Sequence, residues 1–127
     1  MSSHTGWKSI KRGEDLAIGY RFTSNELAAM LKHIGVTEYR LGDIDVNDLS
    51  DEDEKIAVES LCRHKVCIRT ADSYSIDQVI TVIIMAISEA KSYAIIVDDE
   101  SAKVIASNNN MVVYMRQDMR MPGIWHL

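Results

Sequence analysis

The densest set of chemistry-bearing residues in this chain is the run Asp43-Ile44-Asp45-Val46-Asn47-Asp48-Leu49-Ser50-Asp51-Glu52-Asp53-Glu54. A calcium loop of the EF-hand type needs side-chain oxygens at its first, third, fifth and ninth positions and a Glu at its twelfth, because the ion is hard and takes several oxygen ligands. Asp43, Asp45, Asn47, Asp51 and Glu54 fill those positions. The sixth position, however, holds Asp48 where the sharp turn wants Gly. The eighth holds Ser50 where an apolar residue is usual, and no strong helix precedes the run. The pattern favours an acidic linker running into a helix N-terminus, and no metal site is expected.

Nucleophilic catalysis finds little to work with. His4, His33, His64 and His126 are dispersed along the chain. His33 and His64 fall at expected helix C-termini, where an imidazolium is favoured by the helix dipole. Cys62 and Cys67 lack the CxxC spacing of a redox or zinc site and read as reduced packing residues. There is no GxSxG, no HExxH and no phosphate-cradling glycine loop among six glycines. No catalytic residue and no cofactor are expected, and the chain does not read as an enzyme. Asn108-Asn109-Asn110 reads as a turn and offers no glycosylation acceptor.

The elements that would position these groups are well punctuated. Residues 1–15 read as a loose arm ahead of a single domain spanning 16–127. Ala17–Phe22 suits a short strand. Thr23 then caps a helix, with Glu26 completing a capping box and Phe22 and Leu27 placed as a hydrophobic staple. Leu27, Met30, Leu31 and Ile34 recur at helical spacing on one face, and Gly35 is a natural terminator. Val36–Leu49 is a connection. Ser50 caps a second helix whose first turn is acidic and whose last turn, Arg63-His64-Lys65, is basic. Lys65–Thr70 alternates like a strand, with Val66 and Ile68 on one face.

Ser75, with Gln78 at the reciprocal position and a Tyr74–Val79 staple, predicts a third helix over Ile76–Lys91. It is apolar on almost every side through Val79–Ile87 and should therefore be buried on most faces. Tyr93–Val97, Ala102–Ser107 and Met111–Arg116 predict a meander with turn-rich connectors. The expected fold class is α+β: a winged-helix-like helical part followed by a three-stranded antiparallel β-meander.

The formal net charge is −5, and the acids concentrate in the middle of the chain. A winged-helix recognition helix offers its first turns to phosphates and base edges. Here those turns hold Asp51-Glu52-Asp53-Glu54, which opposes the counterion release that drives nucleic-acid binding. A nucleic-acid partner is therefore not expected, and a DNA-binding regulator is the second reading. The run Val79–Ile87 is well short of the roughly 20 apolar residues of a membrane span. Without a signal-like amino terminus, the chain reads as cytoplasmic with no membrane insertion. The expected partner is a protein. Its contact surface is placed on the apolar third helix (Ile83, Ile84, Ile87), the methionines Met111, Met115, Met119 and Met121, and Trp125 of an apolar tail. A sheet of few strands leaves an edge that invites pairing, so a homodimer is also expected.

Phe22-Thr-Ser-Asn-Glu-Leu-Ala-Ala-Met-Leu-Lys-His-Ile-Gly35 followed by Leu49-Ser-Asp-Glu-Asp-Glu-Lys-Ile-Ala-Val-Glu-Ser-Leu61 resembles the opening of EspG-like accessory proteins of type VII (ESX) secretion systems. In those proteins an apolar helix ending near Gly leads to a helix that opens on Leu-Ser-acid. A strand, another helix and a meander follow, and Asp72–Ala90 and Tyr93–Arg116 agree in order. The relatives contain two related halves, of which this chain resembles one. The resemblance implies a cytosolic, non-enzymatic chaperone or adaptor that engages secreted partners.

Overall fold

The computed structural model describes residues 7–12, 15–97, 101–108, 111–118 and 123–127. In chain order the elements are β1 (Trp7–Arg12), β2 (Asp15–Thr23), α1 (Ser24–His33), β3 (Arg40–Leu41), β4 (Ile44–Asp45) and α2 (Asp51–Arg63). They continue with β5 (Cys67–Arg69), β6 (Tyr74–Ile76), α3 (Gln78–Ser88), β7 (Ser92–Val97), β8 (Ser101–Ser107), β9 (Val112–Asp118) and β10 (Ile124–His126). The fold is α+β. An antiparallel sheet in the order β1-β2-β10-β9-β8-β7 carries the three helices, and β3–β4 and β5–β6 are small hairpins. The expected meander is β7-β8-β9. It extends into a larger sheet because β10 inserts between β9 and β2. Trp7–Arg12, within the stretch read as a loose arm, forms the β1 edge and pairs with Asp15–Tyr20.

Helix α1 is the hub of the core. Thr23 and Glu26 form the reciprocal box: the Glu26 N–H donates to Thr23 Oγ1 at 3.0 Å, and the Thr23 N–H donates to Glu26 Oε1 at 2.8 Å. The sequence suggests one buried face, but Leu27, Ala28, Ala29, Met30 and Leu31 are all buried. Both α2 and α3 pack against α1, which accounts for burial on more than one face.

Both α1 and α2 close in the same way. After α1, the Val36 N–H donates to the Leu31 carbonyl and the Gly35 N–H to that of Lys32, with Gly35 at φ +97°. After α2, the Val66 N–H donates to Leu61 and the Lys65 N–H to Cys62. These are paired Schellman closures. The second places Lys65 at φ +65°, so β5 begins only at Cys67. Val66 is buried while Ile68 is exposed, so the two do not share one buried face.

The third helix departs from its expected limits. Its cap is Asp77, whose Oδ2 accepts from the Val79 and Ile80 N–H groups. Tyr74–Ile76 pairs with β5 instead, which takes Ser75 away from the cap. Helix α3 is shorter than expected and is not buried on most faces. Ile80, Ile84, Ala86 and Ile87 pack inward, while Val79, Val82 and Met85 form an exposed stripe.

The left-handed geometry at Lys65 generates a prediction. A residue with a Cβ is strained there by about 1–2 kcal/mol, and glycine is not. Lys65→Gly should raise stability by about 0.5–1 kcal/mol in urea unfolding, the gain being reduced by glycine's greater freedom in the unfolded chain. A loss of stability would contradict the assigned turn.

Candidate interaction surface

The residues expected to form a contact surface separate into two groups. Ile84, Ile87, Met115 and Trp125 are core residues and cannot meet a partner in the folded chain. The reason is alternation. On β9, Val113 and Met115 face the helices, and on β10 Trp125 lies opposite Gln117 and Phe22 on that same face. Ile83 and Met111 are half-buried against the core. Met119 and Met121 lie outside the described residues.

Exposed apolar side chains gather elsewhere, on the α3 stripe, on β7 and on the outer face of β9. Every residue of β7 is exposed. Ile95 (59%) and Val97 (64%) point to the helix side, and Ile96 (53%) to the outer side. The helical layer thus stops short of β7. The strand's start is fixed by Tyr93, whose hydroxyl donates to the Ile87 carbonyl at the end of α3 at 2.6 Å and lies 3.4 Å from the Tyr39 hydroxyl. Burial, with the Tyr93 hydroxyl alongside, pushes the Tyr39 phenol well above its ordinary pKa.

The acidic N-terminus of α2 faces solvent. Asp51, Glu52 and Asp53 are exposed, and Glu54 accepts from Lys32 Nζ at 2.8 Å. That hydrogen bond raises the Lys32 ammonium pKa. The expected electrostatic character of this helix start therefore holds. The calcium-like spacing, in contrast, does not become a ligand cage. Asp43 Oδ1 accepts from the Trp125 indole at 2.8 Å and Oδ2 from Gln117 Nε2 at 2.7 Å. Asp45 accepts from the Asn47 N–H, and Ser50 caps α2. Among the described residues no group of three His, Cys, Asp or Glu side chains is placed to hold a metal ion.

A cavity of about 220 Å³ lies between β2, β10, α1 and α2, with Glu26, Ser60, His64 and Arg21 among its lining. These residue types suggest a Ser-His-acid constellation, but the bonding is wrong for one. Ser60 Oγ donates directly to Glu26 Oε2 at 2.8 Å, and His64 bonds to neither. A triad needs imidazole between hydroxyl and carboxylate. Glu26 instead ties α1 to α2 while completing the α1 cap. His33 stacks on Tyr74 with ring centroids 4.0 Å apart. Both cysteines are free, and burial pushes the Cys67 thiol up to about 12, far from nucleophilic poise.

Because Asp43 and Asp45 already serve as acceptors within the fold, calcium should leave the thermal midpoint of the protein unchanged. A calcium-dependent rise, read by differential scanning fluorimetry against a magnesium control, would contradict this assignment. No protein-family model matches the chain, no curated protein sequence matches it, and no solved structure matches its fold.

Proposed function

We propose that this chain is a non-enzymatic protein-interaction module that works by strand addition at β7. The observation that carries the reading is the character of that edge. Strand β7 ends the sheet, and its sequence, Ser-Tyr-Ala-Ile-Ile-Val, has no charge and no proline. Such an edge presents unpaired N–H and C=O groups, and among the described residues no charge or proline on the strand blocks pairing. At the opposite edge the β1 sequence contains Lys8, Lys11 and Arg12, residue types that discourage addition. The resemblance to EspG-like accessory proteins supports the same class of role, a cytoplasmic adaptor or chaperone for other polypeptides. The order α1, α2, β5–β6 follows that of a winged helix, but the exposed Asp51–Asp53 turn argues against DNA as the partner.

The form most directly testable is a homodimer. Two β7 strands joined antiparallel about a two-fold axis normal to the sheet must match side chains of the same face, so the axis passes through a residue. Centring it on Ile95 sets Tyr93 opposite the partner's Val97 and Ala94 opposite the partner's Ile96. This pairs aromatic with β-branched on one face and aliphatic with aliphatic on the other. Sedimentation velocity should show a dimer for the natural chain and monomers for Ile95→Lys and for Ile95→Glu. Mixing the two variants should restore a heterodimer. A natural chain that stays monomeric as its concentration rises, or an Ile95→Lys variant that still dimerises, would overturn the β7 pairing.

A further inference from the structure

The strand registers create a second surface, independent of the β7 edge. On the outer face of the sheet, Arg21 of β2 lies opposite His126 of β10, His126 opposite Arg116 of β9, and Arg116 opposite Lys103 of β8. Four basic side-chain types therefore occupy one cross-strand row. At the usual spacing between strands the row spans about 14 Å. The helices pack on the other face, and only at its Arg21 end do Ser60 and His64 of α2 come beside the row, where they share a cavity with Arg21. Arg21, Arg116 and Lys103 are exposed, and among the described residues none of the three has an ion-pair partner. Beyond the row the register continues with Ser101 opposite Asp118.

This arrangement works against the isolated fold. Like charges directly opposite on neighbouring strands repel. The chain as a whole is acidic, and its exposed acids on α2 belong to the helical layer rather than to this row. Cations concentrated on the open face of an acidic protein have a physical use if an anionic partner neutralises them. Beside the row the face is apolar: Tyr114 (67% exposed) and Ile96 are exposed, and Ile105 is half-exposed. Tyr114 lies opposite Ile105, and Ile96 opposite Lys103.

We infer that the outer sheet face binds an acidic, partly apolar segment of another polypeptide. Its carboxylates neutralise Arg21, Arg116 and Lys103, and its apolar side chains cover Tyr114 and Ile96. Single-stranded nucleic acid is the competing anion. It is disfavoured because sheet surfaces that hold it stack bases on several aromatics, whereas this row is flanked by one exposed tyrosine and by aliphatics. The inference rests on the proposed interaction role only in taking the partner to be polypeptide, and it does not require β7 pairing.

The test uses the full chain and two labelled probes of equal length, a peptide of repeated Glu-Glu-Leu and oligothymidylate, read by fluorescence anisotropy at low and moderate salt. The peptide should bind in a salt-sensitive manner. The double variant Arg116→Gln/Lys103→Gln should weaken it by about tenfold, as expected for losing two charge contacts. The thermal midpoint of that variant should stay level or rise by about 1–3 °C, because repulsion is relieved. Tighter binding of oligothymidylate, equal binding by the variant, or a lowered midpoint showing that the cations stabilise the fold would each overturn the inference. Sedimentation of the same variant separates this result from the β7 proposal, since loss of peptide binding with an unchanged dimer affects one and spares the other.

Discussion

The indole of Trp125 sits where β10, the start of α1 and the β3–β4 hairpin meet. Its N–H lies 2.8 Å from Asp43 Oδ1 and 3.1 Å from Ser24 Oγ, and its ring is almost wholly buried. Gln117 holds the other Asp43 oxygen, and Gly42, at φ +60°, passes so close that a Cβ there would stand 3.3 Å from the ring. One side chain thus joins the last strand, the first helix and the β3–β4 hairpin. Emptying such a site costs on the order of 3–5 kcal/mol in packing alone, a large part of the stability of an ordinary domain. The sheet depends on it, because β10 is the short strand that bridges β2 to the β7-β8-β9 meander.

Once β10 is locked in the middle, the distribution of surfaces follows. Phe22, Trp125, Met115 and Val104 turn toward the helices by strand alternation, and their neighbours turn away. Three helices of this length cover the sheet's centre and leave β7 bare on both faces. Among the described residues no helix lies over the middle of the outer face, and Arg116, Lys103 and Tyr114 are exposed there. The acids of α2 lie at a helix start, where they favour the dipole, and the basic row lies on the sheet. The net charge of −5 therefore conceals a segregated distribution.

Much of this was legible in the sequence where the signal is local. Thr23 with Glu26, Ser50 ahead of Asp53, and the alternation of the meander strands each act over a few residues, and each appears where the pattern places it. Signals that depend on distant partners were not legible. Ser75 and Gln78 have the spacing of a capping box, but pairing of Tyr74–Ile76 with β5 overrides it and hands the cap to Asp77. Ala28 and Ala29 look neutral in the sequence, and only packing of the whole fold buries them. The tail methionines and Trp125 look like a sticky end, and only the registers of β9 and β10 reveal Met115 and Trp125 as interior. The basic row joins Arg21 of β2 to residues of β8, β9 and β10 that follow one another at intervals of ten or more positions, so no short window along the chain contains it.

Strand β10 is integral to the fold through Trp125 and Asp43. Hydrogen exchange of the Trp125 indole N–H, followed by NMR in rising urea, tests it most directly. Exchange that occurs only with global unfolding is the predicted result. Exchange at the rate of a free indole in the absence of denaturant would contradict it.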